Sequence, residues 1–159
     1  MAGLGWWLLA VAIGAACATA LRWYWRPGQQ VRREKIFTTA QREFRLQREQ
    51  LEAKFCRLAG ESGKPRGLRW TDCDFQNEVT YARDRSSGAL SAFVGVTISF
   101  EAVEGGNMED VEAVSNKRAG TAVFHFDGTR WITQGRAIFN LNPTEAIQYY
   151  QSNLEKLHN

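Results

Sequence analysis

The sequence predicts an α+β protein. An N-terminal transmembrane helix and an amphipathic juxtamembrane helix precede a four- to five-stranded antiparallel sheet closed by a C-terminal helix. Three observations carry this. Ala2–Leu21 contains no charged side chain. Phe37, Phe44, Leu51 and Leu58 recur every seven residues, with Ala40 and Phe55 alongside. Val94, Val96, Ile98, Phe100 and Ala102 alternate with Gly95, Thr97, Ser99 and Glu101. The boundaries that follow are an anchor over 1–25, a basic helix over 26–59, a linker over 60–67 and an α+β domain over 68–159, packed with part of the preceding helix. With 23% charged and 44% hydrophobic residues, the composition excludes a fully disordered chain and a polytopic membrane protein.

As a helix, Ala2–Leu21 spans about 30 Å, the thickness of a bilayer's hydrocarbon core. Trp6 and Trp7 mark one end; Trp23, Tyr24 and Trp25 mark the other, where aromatic anchors belong. Arg22, Arg26, Arg32, Arg33 and Lys35 follow the segment, and only the α-amino group precedes it. The positive-inside rule then puts the N-terminus outside and the main domain in the cytoplasm. The rival is an exported envelope protein, with cleavage after Ala18-Thr19-Ala20. That route lacks a basic residue ahead of the apolar run. Ala10, Gly14 and Ala18 share one helix face and could bring two copies together in lipid.

Pro27-Gly28 is expected to end the first helix. The next pattern, from about Val31 to Ala59, has one apolar stripe. From Arg22 to Arg48 there are eight basic and two acidic residues, which favours contact with anionic lipid. The sevenfold repeat is short for a coiled coil, and packing of the helix's second half on the sheet explains it better.

After the Gly60–Gly67 linker the charge reverses. Glu61–Asn159 holds 10 basic and 13 acidic residues, so no nucleic-acid partner is expected. Leu68–Phe75 and Glu78–Arg85 read as parts of one kinked strand. Ala89–Val103 is the clearest strand, with a bulge at Gly95. Short strands are expected at Glu112–Val114 and Thr121–Phe126. Asp127-Gly128 signals a tight hairpin, returning along Thr129–Phe139. Asn142, Pro143 and Glu145 announce a capped helix, whose apolar face would be Ile147, Tyr150, Leu154 and Leu157. Both helices are expected on one face of the sheet. The order of elements, with the hairpin Phe124-His125-Phe126-Asp127-Gly128-Thr129-Arg130-Trp131, resembles the cystatin-like and nuclear-transport-factor-like rolls. That resemblance implies a curved sheet wrapped around a helix.

No residue set reaches the standard of a catalytic, cofactor or metal motif, and none is assigned. His125 lies in a strand and points away from Phe124 and Phe126. Cys73, between Asp72 and Asp74, is the natural thiol, but nothing in the sequence puts it beside His125. Cys56 and Cys73 lie on different elements, with no CxxC pair, and fit a reducing compartment. Were the domain exported, a disulfide between them would become possible. Glu101, Glu104, Glu109, Asp110 and Glu112 form an acidic hairpin end, which is a candidate docking loop for a protein partner. The expected function is a single-pass, membrane-anchored protein presenting a small non-catalytic interaction domain, as an accessory subunit of a membrane complex would. The alternative is a ligand-binding or enzymatic roll with an aromatic-lined cavity and His125 or Asp74 at its mouth.

Overall fold

The computed structural model describes residues 3–63, 68–105 and 117–157, without the side chains of 3–13, 18–30, 63 and 68. The elements are α1 (Gly3–Gly63), β1 (Leu68–Asp84), β2 (Leu90–Ala102), β3 (Arg118–Phe126), β4 (Trp131–Ile132), β5 (Ala137–Phe139), α2 (Pro143–Tyr149) and β6 (Leu154–Leu157). The chain divides into two compact units, Met1–Thr39 and Ala40–Asn159.

The first unit is helical. Contrary to expectation, α1 continues through Pro27-Gly28. A proline deletes only its own bond to the carbonyl four residues back, and the turns on either side can propagate. Arg32, Arg33 and Lys35 are exposed. Gly14 is exposed too, with open space where a Cβ would sit. The side chains of Trp6, Trp7, Ala10, Ala18, Arg22, Trp23, Tyr24, Trp25 and Arg26 lie outside the described residues, and with them most of the apolar segment. Among the described residues, no helix is long and apolar enough to cross a membrane.

The second unit is an α+β domain built on one antiparallel sheet, ordered β4-β3-β2-β1-β6, with β5 also paired to β3. The apolar stripe of α1 covers one face. Ala40, Phe44, Phe55 and Ala59 are fully buried, and Leu51 nearly so. Phe44 lies edge-on to Tyr81, Phe124 and Trp131, at ring-centre distances of 6.1, 5.4 and 5.0 Å. Phe55 does the same to Trp70 and Phe75. The Trp131 indole N–H donates to the Ala40 carbonyl at 2.8 Å.

The kink in β1 is real, but its extra residues are not at Gly95. Phe75 pairs with Val96 and Val79 with Val94, so Gln76, Asn77 and Glu78 bulge opposite Gly95. A Cβ on Gly95 would collide with the Gln76 side-chain oxygen. Bulged carbonyls lose ladder partners. Here Arg48 of α1 supplies them, donating to Asn77 O at 2.8 Å and to Gln76 O, while its Nε bonds Glu52.

Two expectations about the helices are overturned. Ala146 and Ile147 of α2 pack with Ala82, Phe93 and Val123, on the sheet face opposite α1. The two helices therefore cover different faces, and β2 is buried on both sides from Leu90 to Val96. The capping box at Asn142 and Glu145 forms as expected. The helix nevertheless stops after two turns, and Leu154–Leu157 pairs with β1 as an edge strand. The apolar spacing of Leu154 and Leu157 mimicked a helix. Backbone pairing with the free edge of β1 wins, because it satisfies a row of polar groups. The linker also starts later than expected, since α1 runs to Gly63.

The hairpin after β3 is a four-residue loop, not a two-residue turn. Phe126 pairs with Trp131. Asp127 accepts hydrogen bonds from Thr129 N, Thr129 Oγ1 and Arg130 N, which closes the loop through the side chain. The return strand breaks into β4 and β5 around Gly135. At φ +69° that residue presses on α1, and a Cβ there would meet Ala59 N at 2.5 Å. The expected strand at Glu112–Val114 lies outside the described residues.

Phe44→Ala should cost about 3–5 kcal/mol in urea unfolding. Gly135→Ala should cost more than about 1 kcal/mol, through strain at positive φ and collision with the helix. Leu46 is 77% exposed, so Leu46→Ala should stay within about 0.5 kcal/mol.

Candidate functional site

On the α2 face of the sheet there is a cleft of about 210 Å³. Phe93, Val123, Ile138 and Leu154 give it an apolar floor, and Ser91, His125, Arg136 and Tyr150 line its polar side. The volume is below the roughly 300–1,000 Å³ typical of drug-sized ligand sites, so the cleft suits a small molecule.

Strand register assembles the polar side. Ser91 of β2 pairs directly with His125 of β3, and directly opposed residues point to the same side of a sheet. The Ser91 hydroxyl and His125 Nδ1 are 3.0 Å apart. Either group can donate, according to the imidazole tautomer. Burial, and then the nearby Arg136 guanidinium, push the His125 pKa below its ordinary 6.5. The ring is therefore neutral at pH 7. Arg136 is exposed, and among the described residues its side chain has no hydrogen-bond or ion-pair partner.

This arrangement differs from a hydrolytic triad. There a carboxylate faces the imidazole and stabilises its cation. Here a guanidinium faces it and opposes protonation. Asp84 also lines the cleft, but its Oδ1 accepts from the amides and hydroxyls of Ser86 and Ser87. Those bonds, led by the Ser86 hydroxyl, hold its carboxyl down at about 2 and commit it to the β1–β2 turn. What the site offers is the Arg136 cation, a neutral hydrogen-bonding pair, an apolar floor and the Asp84 carboxylate bound to its own turn.

The residues singled out from sequence fare unevenly. His125 faces away from Phe124, as alternation requires, and it lines the cleft. Cys73 pairs with Ile98 on the α1 side, so Cys73 and His125 stand on opposite faces. Asp74 is exposed and does not line the cleft. Phe44, Phe55, Phe124 and Trp131 fill the core under α1 and line no cavity with His125. Of the acidic hairpin end, Glu101 forms an exposed ion pair with Arg69 at 2.9 Å, and Glu104 is exposed. Glu109, Asp110 and Glu112 lie outside the described residues. Sequence reasoning missed Ser91 and Arg136. The former needs the β2–β3 register, and the latter needs the break between β4 and β5.

The chain matches no family model, no curated protein and no solved structure.

The His125 environment predicts a pH effect with a definite sign. The folded-state pKa lies below the unfolded value, so the unfolded chain takes up the proton first as pH falls. Stability from this residue is intact above about pH 6.5 and declines below it, until the folded-state ring also titrates. Urea midpoints at pH 7.5 and pH 5.5 should therefore fall further for wild type than for His125→Gln, and NMR should place the His125 midpoint below 6.5.

Proposed function

We propose that the chain is a single-pass membrane-anchored protein whose α+β domain is a non-catalytic binding module for a small anionic ligand. The observation that carries the ligand half is Arg136. It stands at the rim of an apolar-floored cleft beside the neutral Ser91–His125 pair, without a protein partner among the described residues. A carboxylate or phosphate group would pair with the guanidinium and accept from the Ser91–His125 pair. A short apolar body would cover Phe93, Val123, Ile138 and Leu154. The Arg136 guanidinium beside His125, with the Asp84 carboxylate engaged by Ser86 and Ser87, supports binding over hydrolysis.

The membrane half of the reading is carried by the sequence. Ala2–Leu21 has the length and the lack of charge for a transmembrane helix, flanked by Trp6, Trp7, Trp23, Tyr24 and Trp25. Arg22, Arg26, Arg32, Arg33 and Lys35 favour a cytoplasmic domain in contact with anionic lipid. In this reading Ala10, Gly14 and Ala18 offer a homodimer face, and the acidic end at Glu101 and Glu104 offers a surface to a protein of the same membrane. The stripe of α1 on an antiparallel sheet is also the arrangement that a roll of the cystatin-like kind would have.

Two experiments test the halves separately. In NMR titrations with short-chain carboxylates, His125 should shift and its midpoint should rise, because the bound anion offsets Arg136. Arg136→Ala should lose the response at least tenfold in affinity, and an unchanged response would contradict the site. A reporter fused after Asn159 should be active only on the cytoplasmic side, and changing Arg32, Arg33 and Lys35 together to Glu should reduce that bias. An external reporter in the wild-type chain would overturn the orientation.

A further inference from the structure

We infer that Cys56 and Cys73 form a reversible disulfide that staples α1 to β1. The sequence puts the two residues on different elements and makes the bridge conditional on export. Packing brings them together. Phe55, next to Cys56, is fully buried and lies 5.7 Å from the Phe75 ring and 6.4 Å from the Trp70 ring. Those two aromatics bracket Cys73 along β1. Cys73 pairs with fully buried Ile98, so its side chain is on the face that α1 covers. The two thiols are close enough for each to perturb the other's acidity. Both cysteines are free and half-buried, so a small reagent can reach them without unfolding of the domain.

The contact also sets the order of events. The neighbouring Cys73 thiol lowers Cys56 below its ordinary value, whereas Cys56 and burial raise Cys73. The oxidant required is a low-molecular-weight disulfide of the glutathione type. The Cys56 thiolate attacks one of its sulfurs, forms a mixed disulfide and expels one thiolate. Cys73 then loses its proton and attacks the Cys56 sulfur, expelling the second thiolate. Two protein thiols are oxidised, and one small disulfide is reduced to two small thiols. The ring closed is roughly 18 residues, which on loop-closure grounds should raise Tm by on the order of 5–10 °C. This inference does not depend on the ligand or membrane reading. A reducing compartment keeps the pair as a dithiol, and an oxidising one closes it.

The test uses the full wild-type chain in detergent, equilibrated with oxidised and reduced glutathione across a range of ratios, then alkylated and digested. The expected product is a Cys56–Cys73 linked peptide, with Cys17 alkylated or carrying glutathione. Tm should rise on oxidation. Cys73→Ser should trap glutathione on Cys56 and abolish the Tm rise. Because the primary readout is on the wild-type chain, a folding defect in the variant cannot decide the outcome. Separate glutathione adducts on Cys56 and Cys73, both thiols left free while Cys17 reacts, or a Cys17 cross-link to either would each overturn the inference.

Discussion

Phe44 and Phe55 fix the position of α1 on the sheet, and most of the domain depends on that contact. Each is fully buried, and together their rings reach Tyr81, Phe124, Trp131, Trp70 and Phe75, on β1, β3 and the start of β4. Edge-on aromatic pairs contribute roughly 0.5–1.5 kcal/mol each beyond their area burial. Several such pairs on one helix face far exceed the roughly 1 kcal/mol of an exposed ion pair such as Arg69–Glu101. Between the two phenylalanines, Arg48 satisfies the carbonyls that the β1 bulge leaves unpaired. The bulge, its glycine and its arginine are thus one device, divided between a helix and two strands.

The other face of the sheet has a thinner cover. A two-turn α2, the turn after it and β6 bury Phe93 and Val123 but stop short of Ser91 and His125. The cleft is what this incomplete cover leaves. Its polarity follows from the same geometry. Residues paired across β2 and β3 put hydroxyl against imidazole, and the chain leaving Gly135 brings Arg136 alongside. Fold and candidate site are therefore linked at Gly135, where contact with α1 on one face determines how the chain reaches the other.

Much of the architecture was legible in the sequence, because it rests on local periodicity. The alternation in β2, the seven-residue stripe of α1 and the capping box at Asn142 each depend on near neighbours. Tertiary competition decided the rest. Leu154 and Leu157 fit a helix face, yet the free edge of β1 draws them into a strand. Asp127-Gly128 suggests a two-residue turn, but the Asp127 side chain closes a longer loop. The alternation of β2 predicts one buried face; only the three-dimensional placement of α2 shows two. The site was least legible. Alternation makes His125 a strand-face residue, whereas Ser91 and Arg136 require registers that no local pattern encodes.

The central claim is that the second half of α1 belongs to the folded core of the domain. Hydrogen–deuterium exchange on the full chain tests it most directly. Amides over residues 44–59 should be protected to the same free energy as those of β2 and β3, and should open with them in one cooperative step. Exchange of 44–59 at the rate of a freely fraying helix, while β2 and β3 stay protected, would contradict the account.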